Sequence, residues 1–239
     1  MIRKGIMVLM LVWGGFVFGQ DLQTVLDHVN DALGVDARNN ILHMQSSGHA
    51  IMAGTETKIP FKLMQSKPDM VRVESTMFGL KMIQTYDGKS AWQLSPTSGM
   101  EATVSDPRRM EFMAAATAID GPFSVNKNNK YTLSYGGKDE YLGKESHVLI
   151  WQADEERLKY YINKDTWLVD GLRYEYKKNG GWYSLEYRVS KYQKYGESAF
   201  PSEIAAVVNG VEMILLYITD IESLAGVDRV KYEKPTYNN

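Results

Sequence analysis

The stretch Ser66-Lys-Pro-Asp-Met-Val-Arg-Val-Glu-Ser-Thr-Met-Phe-Gly-Leu-Lys-Met-Ile-Gln-Thr-Tyr-Asp-Gly-Lys-Ser-Ala-Trp-Gln-Leu-Ser-Pro96 decides the fold. Val71 and Val73 alternate with Arg72 and Glu74. Leu80, Met82 and Tyr86 alternate, less cleanly, with Lys81, Ile83 and Thr85. A period of two is that of a strand with one oily and one polar face. Asp87-Gly88 is a strong hairpin signal, and Trp92 and Leu94 resume the alternation beyond it. Strands of this kind belong to antiparallel sheets packed on one side.

The rhythm extends in both directions. Upstream, Ile59, Phe61 and Leu63 alternate with Pro60, Lys62 and Met64, and the strand-like pattern begins near Ile41. Before it, Leu22, Val25, Leu26, Val29 and Leu33 have helical spacing, with Asp21 as an N-cap and Gly34 as a stop. Downstream, residues 106–119 break the rhythm. Asp106-Pro107 is a helix start, Met110, Met113, Ala114 and Thr117 form a mild stripe, and Gly121-Pro122 ends it. Strands return at 131–135 (ended by Gly136-Gly137), 146–152, 158–163, 167–177, 182–192, 202–208 and 211–221. Gly180-Gly181 and Asn209-Gly210 mark turns among them, and residues 227–239 read as an irregular polar tail. With no repeat or linker, residues 20–239 read as one mainly β domain with few helices. Roughly ten or eleven strands in meander order curl round the inserted helix as an unclosed antiparallel barrel with an apolar concavity.

Residues 1–19 read as an address. Arg3 and Lys4 precede an apolar middle, and the segment ends on small Gly19 with Val17 two positions earlier, the layout of a cleavable secretory signal. The expected cut leaves Gln20 first. The alternative, a membrane anchor, is weakened by length, since about 15 apolar residues fall short of the roughly 20 that a span needs.

Composition narrows the function. Hydrophobic residues make up 44% and charged residues 23%, and the net charge is −2. A weakly acidic chain without a basic stripe lacks the footprint of a nucleic-acid binder. There is no cysteine, which excludes disulfides, thiolate metal sites, a thiol nucleophile and a lipid on a processed N-terminal cysteine. His28, His43, His49 and His147 show no metal-ligand spacing. No nucleophile elbow, phosphate loop or dinucleotide fingerprint is present. No catalytic residue, metal or cofactor is expected. Methionine, with 13 copies, suits surfaces that repack around varied oily partners. Met110, Phe112 and Met113 fit a lid over an apolar pocket.

In order along the chain, Lys67-Pro68-Asp69, Arg72, Glu74, Asp87-Gly88, Trp92 and Pro96 resemble the motifs of the outer-membrane lipoprotein-sorting proteins, the LolA/LolB-like periplasmic carriers. Gly121-Pro122, Tyr160-Tyr161, Trp167 and Phe200-Pro201 follow in the expected sequence. The resemblance implies an eleven-stranded unclosed β-barrel with a helical lid and a cavity that takes acyl chains. It also implies an inner-membrane donor, an outer-membrane acceptor and only transient membrane contact. Alternation places Phe61, Leu63, Val71, Val73, Met82, Trp92 and Leu94 on the concave side, with Met110, Phe112 and Met113 above them. A sensing module acting through a protein partner, and a hydrolase using the cavity as a tunnel, are the competing readings.

Overall fold

The computed structural model describes residues 14–96, 99, 101–123 and 132–236, with side chains from Asp21 onward in the first helix. Residues 1–13 of the expected signal segment lie outside the described residues. The first helix, α1, spans Gly14–Leu33, and a 3-10 turn at Val35–Arg38 follows it. Six strands come next: β1 (His43–Met52), β2 (Lys58–Ser66), β3 (Met70–Met77), β4 (Leu80–Tyr86), β5 (Ala91–Leu94) and β6 (Ala102–Val104). Helix α2 (Pro107–Ala116) is inserted. Seven strands complete the sheet: β7 (Thr132–Tyr141), β8 (Lys144–Ala153), β9 (Glu156–Asn163), β10 (Val169–Lys178), β11 (Gly181–Tyr195), β12 (Ser198–Val208) and β13 (Val211–Leu224).

All thirteen strands form one antiparallel sheet in the order β6-β5-β4-β3-β2-β1-β13-β12-β11-β10-β9-β8-β7. Two meanders thus lie side by side, joined where β1 pairs with β13, and the sheet is not closed into a barrel. Tight turns fix the register. Asn209 and Gly210 both have positive φ, at 48° and 82°, the backbone that a two-residue hairpin matching strand twist requires. Phe78-Gly79, Leu142-Gly143 and Asn179-Gly180 repeat that pattern. The third of these lies one residue before the Gly180-Gly181 turn expected from sequence.

The architecture agrees with the expected class, with more strands than expected. Ala102–Val104 is too short for alternation to show, and it exists because β5 offers it a pairing edge. The strand expected to stop at Gly136-Gly137 runs on to Tyr141. The register against β8 shifts between Tyr135 and Lys138, so the glycines form a bulge, with Gly137 at φ 84°. Strand β10 starts at Val169, later than expected, because Trp167 sits at φ 58° in the preceding turn.

The part expected to be an irregular tail contains a short 3-10 turn, Arg229–Tyr232, docked on the convex face of β3 and β4. Arg72, buried there, donates to Glu74 Oε1 at 2.6 Å and to the Lys231 carbonyl at 2.8 Å. Burial alone would raise the Glu74 carboxyl, but the Arg72 hydrogen bond and the Arg72 and Lys81 charges outweigh it and hold it below its ordinary value. The Thr85 hydroxyl donates to Glu233 O, and Tyr232 is wholly buried.

Candidate lipid cavity

The concave face is filled unevenly. On one side Val25, Val29 and Leu33 of α1 pack against Leu149, Tyr160, Ile162 and Leu172 of the sheet. On the other, α2 crosses the sheet. Its N-terminus is fixed by the Asp106 carboxylate, which accepts from the Arg108 N–H, and by an Asp106–Lys178 ion pair at the β10–β11 end. At its other end, the Thr117 hydroxyl caps Met113 O and accepts from the Gln65 amide. Beneath and beside α2 lies an apolar cavity of about 480 Å³, within the range of roughly 300–1,000 Å³ that small-molecule sites occupy.

Both meanders line it. Phe61 and Leu63 of β2, Ile204 and Ala206 of β12, and Leu216 and Ile218 of β13 form much of the wall. One end is shut by Leu33, Arg38, Met44 and Phe200, all buried. At the other end Met52 and Arg109 border the cavity and are exposed, so this is the mouth.

Of the residues expected from sequence, Phe61, Leu63, Val73, Met82, Leu94 and Met113 border this cavity. Val71 is on the concave face, but Met110 and Ala114 cover it, and the three pack as one cluster with Tyr86 and Ala91. Phe112 points away from the void and stacks on Tyr187 and Tyr174, with ring centroids at 4.6 and 5.9 Å. Trp92 lies on the opposite face of the sheet. It is in register with Thr85, whose hydroxyl binds the docked C-terminal segment. Sequence reasoning did not assign the contributions of β11–β13 to the wall, nor Arg38 and Gln65 at the closed end. Ala206, Ile214 and Leu216 do alternate, but no local signal says which face of these strands turns inward.

Among the described residues no group of three His, Asp or Glu is placed to hold a metal. His43 Nδ1 is 2.6 Å from Ser66 Oγ, and His49 stacks on Tyr217. His28 and His147 both stack on Trp167, at 4.4 and 4.8 Å, which ties α1 to the sheet.

No family model matches the sequence, and no curated protein does. Solved structures do match. One is a domain described as outer membrane lipoprotein-sorting, from Vibrio parahaemolyticus, with TM-score 0.55 and 12% identity over 88% of this chain and 97% of that one. Another is the LolA superfamily protein NE2245 from Nitrosomonas europaea, with TM-score 0.54 and 10% identity over 87% and 96%. This chain has the LolA-like fold. A DUF1329 family protein from Desulfovibrio piger shares it at TM-score 0.55 and 13% identity, over 87% and 97%. At these identities the likeness is one of architecture, and the LolA-like fold of this chain is defined by its own unclosed sheet and crossing helix.

Proposed function

We propose that this protein is a periplasmic carrier that holds acyl chains of lipoproteins, or of other lipids, and passes them toward the outer membrane. One observation carries the reading: the concave interior is oily, open at one end and unfilled by the protein's own side chains. Each methylene moved from water into such a space gains about 0.8 kcal/mol, so a detached acyl chain is strongly driven to enter. Phe61, Leu63, Val73, Met82 and Met113 contact that chain, with Leu94 behind them. Residues 1–19 direct export and are removed after Gly19, and residues 20–239 act as one binding domain without catalytic chemistry. No helix among the described residues is long and apolar enough to cross a membrane.

The rim around the mouth supports transfer by brief membrane contact. Met52, Phe78, Leu80, Trp182, Val211 and Met213 are exposed large apolar residues, and all sit at the strand ends on that one edge of the sheet. Phe78 leads a hairpin and is 84% exposed. An inner-membrane donor and an outer-membrane acceptor would meet the protein at this edge.

The test is thermal shift and native mass spectrometry against a panel of fatty acids and lipopeptides. A ligand at 100 times its Kd stabilises the folded state by about 2.7 kcal/mol. Ala206→Phe, which fills the cavity from β12, should abolish uptake and leave the fold intact. Uptake unchanged by Ala206→Phe would place the ligand elsewhere. Binding without transfer to vesicles, together with a stable protein complex from the envelope, would favour the sensing module instead.

A further inference from the structure

We propose that the closed end of the cavity seats the carboxylate of a fatty-acid-like ligand, head inward, against Arg38; the proposal rests on the lipid-binding reading above and names the ligand's chemistry. Arg38 ends the 3-10 turn after α1, borders the cavity and is 3% exposed. Its Nη2 donates to Leu33 O at 2.8 Å and to Ala199 O at 2.6 Å, and its guanidinium lies 4.0 Å from the centre of the Phe200 ring. Its buried Nε–H has no acceptor. Among the described residues no carboxylate is ion-paired with it: Asp120, the acid felt from a distance, is held by Lys67. Burial lowers the group to about 10, which leaves it charged at neutral pH. A buried cation that borders an apolar chamber and has no counter-ion is costly, and an anion brought by the ligand lowers that cost.

The neighbouring wall has the same character. Phe200 packs with Met44, and Met44 stands opposite Gln65 across the β1–β2 pair. Gln65 is also 3% exposed, and its Nε2 is fixed by both oxygens of Thr117. That fixes the orientation of the amide and leaves Oε1, buried, without a donor. A small turn of the amide toward the void would let a hydroxyl on the ligand, close to its carboxylate, supply one. Two buried polar side chains with unmet hydrogen-bonding capacity therefore sit at the shut end, while hydrocarbon-compatible walls run from there to the Met52 mouth. A purely structural Arg38, stapling α1 to β12, would need Nη2 alone.

The experiment uses the whole chain and three probes: laurate labelled with ¹³C at its carboxyl, 3-hydroxylaurate, and the uncharged dye N-phenyl-1-naphthylamine. In the unaltered protein the bound carboxyl resonance should stay at its ionised position below the pH at which free laurate titrates. Arg38→Met should weaken laurate by about tenfold or more, the scale of a charge-assisted hydrogen bond. Dye uptake by the same variant shows whether its cavity persists, and the laurate loss is read as the change in affinity relative to the dye. 3-Hydroxylaurate should bind more tightly than laurate, and Gln65→Leu should erase that difference. A carboxyl that titrates as in water, or laurate affinity indifferent to Arg38 while dye still binds, overturns the head-inward proposal alone. Equal affinity for the two acids removes Gln65 from it. Failure of every probe to bind overturns the carrier reading itself. Should Arg38→Met not fold, the resonance of the unaltered protein still decides.

Discussion

The half of the sheet under α1 and the half under α2 are built on the same backbone plan and filled in opposite ways. Under α1, rings do the filling: Phe123 meets Tyr160 edge-on at 5.0 Å, Trp167 stacks on two histidines, and Leu149 and Ile162 are completely buried. Under α2 the wall residues are largely aliphatic, with short Ala50 and Ala206 and conformable Met82 and Met113. Aromatic side chains cover large areas and interlock rigidly, whereas alanine leaves room and methionine adapts. Helix α2 belongs to both regimes. Phe112 plugs into the aromatic stack and Met113, next in sequence, faces the void. The difference shows how one sheet can keep a rigid frame beside an adaptable chamber.

Substitutions should separate the two halves. Leu149→Ala in the filled half should cost about 2–5 kcal/mol of stability, read from urea denaturation, because the residue is enclosed on all sides. A value under 1 kcal/mol would mean that the filled half is not tightly packed. Glu186 comes next. It is buried on β11 and accepts from Tyr141 at 2.7 Å, Arg188 at 2.9 Å and Arg173 at 3.1 Å. Burial works to raise its carboxyl, but these bonds outweigh it and hold it below the ordinary 4.5. Its contribution is therefore complete above pH 4.5 and lost as pH falls through the lowered folded value. Glu186→Gln should cost about 1–3 kcal/mol at neutral pH and flatten that acid-side loss. If the acid limb of the stability curve is the same in both proteins, the clamp is not on Glu186.

Leu216→Ala on the cavity wall should cost well below the Leu149 change, about 1 kcal/mol, since that side chain already lacks neighbours on one side. Equal losses at Leu149 and Leu216 would erase the contrast between the halves. The smallest effect concerns His147, against Trp167 and 2.9 Å from the Tyr135 hydroxyl. Burial, aided by Lys138, lowers its protonation below the ordinary 6.5. A group of this sign stabilises above pH 6.5 and loses its contribution as pH falls below it. Hydrogen exchange of α1 amides should quicken slightly from pH 7 to pH 5.5 after correction for intrinsic rates, and His147→Gln should remove that slope.

Much of the fold was legible because its punctuation is local. Asp87-Gly88 and Asn209-Gly210 are turns in their own right, and Asp106-Pro107 is a helix start that the structure uses as read. The bulge at Gly136-Gly137 was not legible, since a glycine pair is as good a strand end as a strand kink until the partner strand is known. Trp92 was assigned to the concave side for a physical reason. Alternation identifies the buried face only where the other face is wet, and here residues 229–232 cover the convex side, where Ile83, Thr85 and Arg72 are as buried as any core residue. The polar closed end was hidden because Arg38, on the turn after α1, and Gln65, on β2, are far apart in the chain and border the same cavity only once it folds.

The two outermost strands, β6 and β7, are not paired to each other, and β6 has three residues. A closed barrel has a girth set by its ladder of backbone bonds and widens only by breaking rungs. Here no rung joins β6 to β7, so the sheet can open or tighten by changes of twist alone, with every existing rung kept. The bowl can thus change its girth without unzipping any part of its frame.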